Sequence, residues 1–356
     1  MFAQAMARMG RWTSLWAGRA WQSAGPLLGL LLIGLLLALV KPEFATPENF
    51  QLLLRQISFN VVLAVGMTLV ILTAGIDLSV GSILGLAGCV LALVMVRSGL
   101  AEAQAVPLGI LAGLGVGLLC GVLNGLCVTL LELPPFIATL GMMSAARGMA
   151  LVLTGGYSIS GLPDAFKFLG QGFLLWVPVP AFVAGVVALW GWVGLKHTRF
   201  GRYVYAIGGS SLAAYLSGVQ VKQVQFWVYT LCGLLSALTG VLLVARLGSA
   251  RPTDGMGYEL NAIAAVVIGG TSLMGGQGSV VGSVVGAAII GVLRNGLVLM
   301  KVSDYWQQVI IGGVIIFVVA LDTLQKRRSQ TTGARPLPPG DEVMAPPSSS
   351  VSPSGR

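Results

Sequence analysis

The chain has 356 residues, a net charge of +9 and 56% apolar residues, whereas only 9% of its residues are charged. Because a soluble domain carries about 25% charged residues, this composition excludes an ordinary soluble globular protein. The positive charge does not indicate nucleic-acid binding, since no basic segment is interleaved with the aromatic side chains that single-strand binders use.

Long apolar runs follow one another along the chain, each close to the roughly 20 residues that cross a bilayer as a helix. The 50 glycines are typical of membrane helices, in which small residues allow close packing. We therefore predict an all-α polytopic membrane protein with about ten transmembrane helices in residues 25–325. The predicted helices occupy 25–41, 51–73, 78–97, 106–131, 136–154, 173–195, 224–246, 259–275, 278–299 and 305–323.

The two ends of the chain differ from this apolar domain. Residues 1–24 contain three arginines and no acid. No small-residue cleavage site follows the first apolar run, so we predict an uncleaved first span after a cytoplasmic N-terminal segment. Residues 326–356 are rich in Pro, Ser and Gly without apolar periodicity, which predicts a disordered cytoplasmic tail.

Basic residues predict the orientation of the spans. The loop 196–222 and the segment 1–24 carry basic residues without acids, whereas 41–55 and 246–259 contain both signs. The positive-inside rule therefore places both termini and the 196–222 loop in the cytoplasm. We expect a multi-pass protein embedded in a lipid bilayer that borders the cytoplasm.

An acidic residue interrupts the apolar sequence in TAGIDLSVGSILG, residues 73–85. Gly75 and Gly81 weaken a helix on either side of Asp77. In one interpretation the segment is a polar helix break that lines a water-filled path, with Asp77 and Ser79 as pathway residues. In the other, Asp77 caps the third helix near the cytoplasmic surface.

A short motif recurs in the two halves of the chain. GSILG at Gly81–Gly85 reappears as GSVVG at Gly282–Gly286, and a glycine-rich interruption precedes each copy. Matching interruptions in the two halves of a transporter indicate its transport site. In so glycine-rich a chain, a chance match is the alternative.

Polar residues also mark the fourth and fifth predicted helices, where Asn124, Thr139 and Arg147 lie. These three residues are further candidates for the pathway. An isolated arginine inside a span must reach the interface, pair with an acid or face water. We expect Glu132 or Asp77 to be the acidic partner of Arg147.

The longest polar connection between predicted spans is the loop 197–223, which contains SSLAAYLSGV. This pattern predicts one or two short helical turns, capped by Ser210 or Ser211 and ended by Gly218. A short helix held at the cytoplasmic face suits a docking surface. An ordinary loop is the alternative.

The sequence contains no recognisable catalytic or metal-binding motif. Its four cysteines form no CxxC pair, and the single histidine, His197, cannot supply a metal cluster. GxxxxGK[ST], GxSxG, HExxH and paired-acid motifs are also lacking. We therefore expect a protein without cofactor or metal that is not an enzyme on its own and has no ATPase site.

Four motifs resemble the permease subunit of ribose-type bacterial ABC sugar importers: GIDLSVGS, PPFIATLGMMSAARGMALVLTGG, GRYVYAIGGSSLAAYLSGV and IGGTSLMGGQGSVVGSVVGA. They occur in the family's order and spacing over about 50–325. The chain departs from the family pattern at Ala74, where a second glycine is usual. It also departs at Ser210–Leu212, where the family often has Asn and Glu.

The resemblance implies an ABC importer permease of the inner (plasma) membrane with three partners. A second permease subunit, identical or different, would complete the path for a ribose-like pentose or a hexose. An ABC ATPase subunit would power the transport, and a periplasmic sugar-binding protein would deliver the sugar. The resemblance also implies a coupling helix that docks on the ATPase, with the coupling-loop residues Gly201, Arg202, Ala206, Gly208, Ala213, Ala214 and Gly218.

Two alternatives predict a different behaviour. An ion-coupled secondary transporter would need no ATPase, but the predicted spans nearly lack the intramembrane acids and histidines of a proton relay. An importer of the same class for nucleosides, branched-chain amino acids or other small polar cargo is the second alternative, because the sequence does not determine the cargo.

Overall fold

The structure, a computed structural model, describes residues 25–314, 316, 317 and 320. The predicted segments 1–24 and 326–356 lie outside the described residues, as does the end of the last predicted helix.

Helices form about four fifths of the described chain. In chain order they are α1 (Gly25–Val40), α2 (Pro47–Leu72), α3 (Val80–Arg97), α4 (Glu102–Thr129), α5 (Pro135–Thr154), α6 (Asp164–Gln171), α7 (Val179–His197), α8 (Arg199–Gly209), α9 (Ser211–Leu216), α10 (Val221–Leu247), α11 (Tyr258–Ile268), α12 (Val280–Leu299) and α13, which begins at 304. A 3-10 turn, Pro42–Ala45, precedes α2. The short strands β1 (Phe173–Leu174) and β2 (Val177–Pro178) form an antiparallel hairpin before α7.

Seven helices in this part of the chain are long and apolar enough to cross a membrane, namely α2, α3, α4, α5, α7, α10 and α12. Helices α1 and α11 are also apolar but shorter. The predicted all-α polytopic class is confirmed, and the count of about ten spans stays a prediction.

Three elements differ clearly from the prediction. The β1–β2 hairpin delays the start of the sixth predicted helix from 173 to Val179. Helix α6 was not predicted, although it buries Phe166 and Gly170 on one face. The prediction of helix over 269–275 is wrong because α11 ends at Ile268. Glycines at positive φ in the following loop adopt a backbone that cannot continue a helix.

Glycines on α4 explain how its neighbours approach so closely. Five of them recur at every fourth position and face inward; we call this set the α4 glycine ladder, which comprises Gly109, Gly113, Gly117, Gly121 and Gly125. A Cβ added at Gly117 would lie 2.3 Å from the Cβ of Ala237 in α10, and one at Gly109 would lie 2.9 Å from the carbonyl oxygen of Leu91 in α3. Helices α3 and α10 therefore pack backbone against backbone on α4.

The helices are enclosed to very different degrees. In the most apolar part of α2 and α10, 78% and 83% of the residues are buried, whereas the corresponding share in α5 is only 17%. Helices α2 and α10 thus form the centre of the helix bundle, and α5 presents most of its surface outward.

The repeated GSxxG motif has the same structural setting in both halves. Each copy begins within the first three residues of a helix that follows a non-helical segment, 73–79 before α3 and 269–279 before α12. A Cβ at Gly81 would lie 2.2 Å from the carbonyl oxygen of Gly255, and one at Gly282 would lie 2.1 Å from that of Gly269. In both copies the missing side chain of the first glycine allows a backbone segment from elsewhere in the chain to pack against the first turn of the helix.

Candidate functional site

Asp77 lies in the non-helical segment between α2 and α3 and is fully buried. Its Oδ1 accepts hydrogen bonds from the backbone N–H of Ser79 at 2.8 Å and from the Ser79 hydroxyl at 2.5 Å. The carboxylate therefore supports the first turn of α3, whose N-cap residue is Ser79 itself. This contact agrees with the interpretation that Asp77 supports the start of the third helix, although the N-cap residue is Ser79 and not Asp77. A pathway role for Asp77 stays a prediction.

Two further candidate residues converge on the same segment from neighbouring helices. The Asn124 amide in α4 donates to the Ser79 hydroxyl at 2.9 Å. The Thr139 hydroxyl in α5 accepts from the backbone N–H of Leu78 at 3.2 Å. The structure therefore brings Asp77, Ser79, Asn124 and Thr139 together.

Tyr229 of α10 is buried beside this segment, and no sequence motif predicted it as part of the site. A Cβ added at Gly75 would lie 2.3 Å from the Tyr229 hydroxyl oxygen, so glycine makes room for the ring. We call the five residues Asp77, Ser79, Asn124, Thr139 and Tyr229 the break cluster. Within the described residues, its atoms Asn124 Oδ1 and Tyr229 Oη have no hydrogen-bond partner.

Arg147 does not belong to the break cluster and does not form the expected ion pair. Its guanidinium donates to the carbonyl oxygen of Asp254 at 2.9 Å and to that of Pro252. Neither Glu132 nor Asp77 is its partner, because Glu132 binds Lys222 and Asp77 binds Ser79. The arginine instead fastens α5 to the backbone of the loop that precedes α11.

The Glu132–Lys222 ion pair joins the loop after α4 to the start of α10, with 2.6 Å between Oε1 and Nζ. The hydrogen bond and the charge of Lys222 lower the pKa of the Glu132 carboxyl. Both side chains line a 590 Å³ surface cavity together with Leu212 and Tyr215 of α9.

Residues 197–223 fold into a helical element rather than an irregular loop. The predicted short helix is α9, and Ser210 caps it by accepting from the backbone N–H of Ala213 at 3.2 Å. Gly218 follows with a φ of +83°. Helix α8 was not predicted, and Thr198 caps it through the backbone N–H of Gly201 at 3.2 Å.

The coupling-loop residues divide into an inner and an outer set. Gly201 and Ala214 are buried, and Gly208 is partly buried. The outer, exposed set contains Arg202, Ala206, Ala213 and Gly218. It is accompanied by the apolar side chains of Leu212, Tyr215 and Leu216, of which 67%, 67% and 76% are exposed. The α8–α9 element is thus anchored on one side and presents an apolar surface on the other.

A family described as "branched-chain amino acid transport system / permease component" matches residues 49–319. The chain belongs to this permease family. The permease is also 47% identical to the ribose import permease protein RbsC of Bacillus subtilis (strain 168), over 85% of this chain and 92% of the relative. For RbsC of Escherichia coli (strain K12) the identity is 46%, over 83% and 92%.

The permease is similar to other sugar transport proteins as well. It is 39% identical to the D-allose transport system permease protein AlsC of Escherichia coli (strain K12), over 85% of this chain and 92% of the relative. No solved structure matches the permease. The resemblance inferred from the four motifs is confirmed, and the permease is a multi-pass inner-membrane component of a transport system.

Proposed function

We propose that this permease is the membrane-spanning subunit of an ABC importer that moves a monosaccharide across the inner membrane. The observation that carries the proposal is the 47% identity to a ribose import permease over 85% of the chain. An allose relative at 39% identity supports a sugar as the cargo. The family's description favours branched-chain amino acids as the alternative cargo.

The outer surface of α8–α9 is the proposed docking site for a separate ABC ATPase. Leu212, Tyr215 and Leu216 form an exposed apolar patch on a short helix that is capped at Ser210 and stopped at Gly218. Such an anchored projection suits insertion into a groove of a partner. In this proposal the α8–α9 surface and both termini lie in the cytoplasm. The partner ATPase, and not the permease, hydrolyses ATP.

Helix α5 is the proposed contact for a second permease subunit. Ile137, Gly141, Ser144, Gly148 and Val152 recur along one exposed face of this helix. A Cβ at Gly141 or Gly148 would meet no atom within 4 Å, so the face is open to a partner. Small residues favour close helix packing in lipid.

The path for the sugar then runs between two subunits, and a periplasmic sugar-binding protein delivers the cargo at the face opposite α8–α9. The candidate Arg147 on α5 lies nearest to this path, whereas Asp77, Ser79, Asn124 and Thr139 support it from the break cluster. Arg147 is partly buried and retains polar capacity beyond its two carbonyl acceptors.

Co-reconstitution in proteoliposomes tests this function. The permease would be combined with a candidate ABC ATPase and a candidate sugar-binding protein from the same organism, and uptake of labelled ribose and labelled leucine would be compared with and without ATP. We expect ribose uptake that requires ATP and both partners. Uptake of leucine but not of ribose would show that the cargo is a branched-chain amino acid and not a sugar. Gradient-driven uptake without the ATPase would show that the permease is a secondary carrier.

A further inference from the structure

The inner side of the α8–α9 element is attached to the core through backbone atoms. Gly208, near the end of α8, lies against Leu72, the last residue of α2, and against Gly276 in the loop before α12. A Cβ at Gly208 would lie 1.8 Å from the Leu72 carbonyl oxygen and 2.2 Å from the Gly276 nitrogen. These two segments are themselves joined, since the backbone N–H of Gly276 donates to the Leu72 carbonyl at 3.0 Å.

Two other contacts close the same junction. The Tyr205 hydroxyl, one turn before Gly208, donates to the carbonyl oxygen of Gly278 at 2.8 Å. A Cβ at Gly275 would lie 2.9 Å from the nitrogen of Ala74 and 3.0 Å from the Cα of Gly208. Helix α8 therefore contacts the 269–279 segment directly, and it contacts the start of the 73–79 segment through Leu72 and through Gly275, which packs on Ala74.

Backbone contacts of this kind transmit displacement with little loss. A long side chain absorbs movement by changing its rotamer, whereas packed backbone cannot move without shifting its neighbour. The two segments that meet at this junction lead directly into α3 and α12, and the first of them holds Asp77 and Ser79 of the break cluster.

We propose that Gly208 and Tyr205 are positioning residues that link a movement of α8–α9 to both helix breaks at once. The ATPase would then act on α3 and α12 together through one junction. This inference rests on the proposed docking of the ATPase at α8–α9, which supplies the movement. It adds the receiving end inside the permease, where the backbone of Leu72 and Gly276 takes up the displacement.

The substitution Gly208→Ala tests the junction because it places a methyl group between two backbone segments. Gly209→Ala is the matched control, since a Cβ at the adjacent Gly209 meets no atom within 4 Å. Tyr205→Phe is a milder variant that keeps the ring and removes one hydrogen bond. Each would be assembled with the ATPase and the binding protein, and both labelled sugar uptake and phosphate release would be measured.

We expect Gly208→Ala to lower the ratio of sugar moved to ATP hydrolysed by about tenfold or more. Tyr205→Phe should lower it by about fivefold, as the loss of one hydrogen bond predicts. Gly209→Ala should stay within about twofold of the wild type. The ratio is informative because a purely structural defect would lower the amount of complex, and so both rates equally.

The inference is overturned if Tyr205→Phe and Gly208→Ala both keep the wild-type ratio in complexes that contain the ATPase. It is also overturned if both lower uptake and ATP hydrolysis in equal proportion. A wild-type permease that neither retains the ATPase nor imports sugar with ATP would instead refute the proposed function. The wild-type measurement in the same experiment therefore separates the two failures.

Discussion

Asn49 and Asn295 exchange two hydrogen bonds across the interface between α2 and α12. The Asn49 amide donates to Asn295 Oδ1 at 3.1 Å, and the Asn295 amide donates to Asn49 Oδ1 at 2.8 Å. Asn49 is 8% exposed and Asn295 is 3% exposed. This reciprocal pair joins residues 246 positions apart and fixes the end of α2 that is opposite the break at 73–79.

A double-mutant cycle measures the strength of this pair. Asn49→Ala and Asn295→Ala should each destabilise the permease, and the double variant should cost less than their sum. The coupling free energy should be about 0.6–1.7 kcal/mol, as for polar pairs between membrane helices. Unfolding in mixed micelles gives these values. The control is the double variant Asn49→Ala with Thr239→Ala. Its destabilisation should equal the sum of the two single effects, because the Thr239 hydroxyl bonds only within its own helix.

Substitutions at Asp77 separate a structural role from a role of its charge. Asp77→Asn keeps an oxygen that accepts from Ser79, so uptake should be partly retained. Asp77→Ala leaves two buried donors of Ser79 without their acceptor and should destabilise the fold by about 1–3 kcal/mol. Uptake and the amount of protein in the membrane would be measured for both. Complete loss of uptake in Asp77→Asn at a normal protein level would establish that the charge is required.

Ala74 adopts a φ of +60°, a conformation in which a Cβ costs about 1–2 kcal/mol. Ala74→Gly removes this cost, and the greater freedom of glycine in the unfolded chain offsets about 1 kcal/mol of the gain. The unfolding temperature should therefore stay the same or rise. Ala206→Gly makes the same exchange inside helix α8 and should lower stability by about 1 kcal/mol. A clear decrease for Ala74→Gly would contradict this account of the turn.

A charge on the outer face of α9 should prevent docking of the ATPase. Leu216 is 76% exposed, so Leu216→Glu should leave folding intact and greatly lower the amount of ATPase that co-purifies with the permease. Leu175→Glu is a matched control, because this leucine is 95% exposed on the β1–β2 hairpin. The 19-residue helix α7 separates the two sites by about 28 Å. Equal retention of the ATPase in both variants would rule out α9 as the docking site.

Local signals predicted much of the fold but not its long-range contacts. The short helix α9 follows from a serine cap and a glycine stop, both visible in SSLAAYLSGV. Helix α8 was missed because Gly201, Gly208 and Gly209 lower its helix propensity. Its stability comes instead from the burial of Val204 and Ile207 against the core.

The candidate site shows the same division. The contact of Asp77 with Ser79 spans two residues and follows from the sequence DLS. The approach of Tyr229 to Gly75 and the carbonyl acceptors of Arg147 could not be predicted, since they depend on how α5, α10 and the loop before α11 pack. An arginine in a span suggests an acidic partner, yet backbone carbonyl groups in a tight loop satisfy it as well.

The α4 glycine ladder has a consequence for inherited variation. Any missense change in a glycine codon adds at least one carbon atom, and four of the five ladder positions have a neighbouring backbone oxygen or side chain within 3.0 Å of that carbon. Loss-of-function alleles should therefore fall on the codons of Gly109, Gly117, Gly121 and Gly125. The codon of Gly115, on the same helix but facing open space, should accept replacement by alanine or serine.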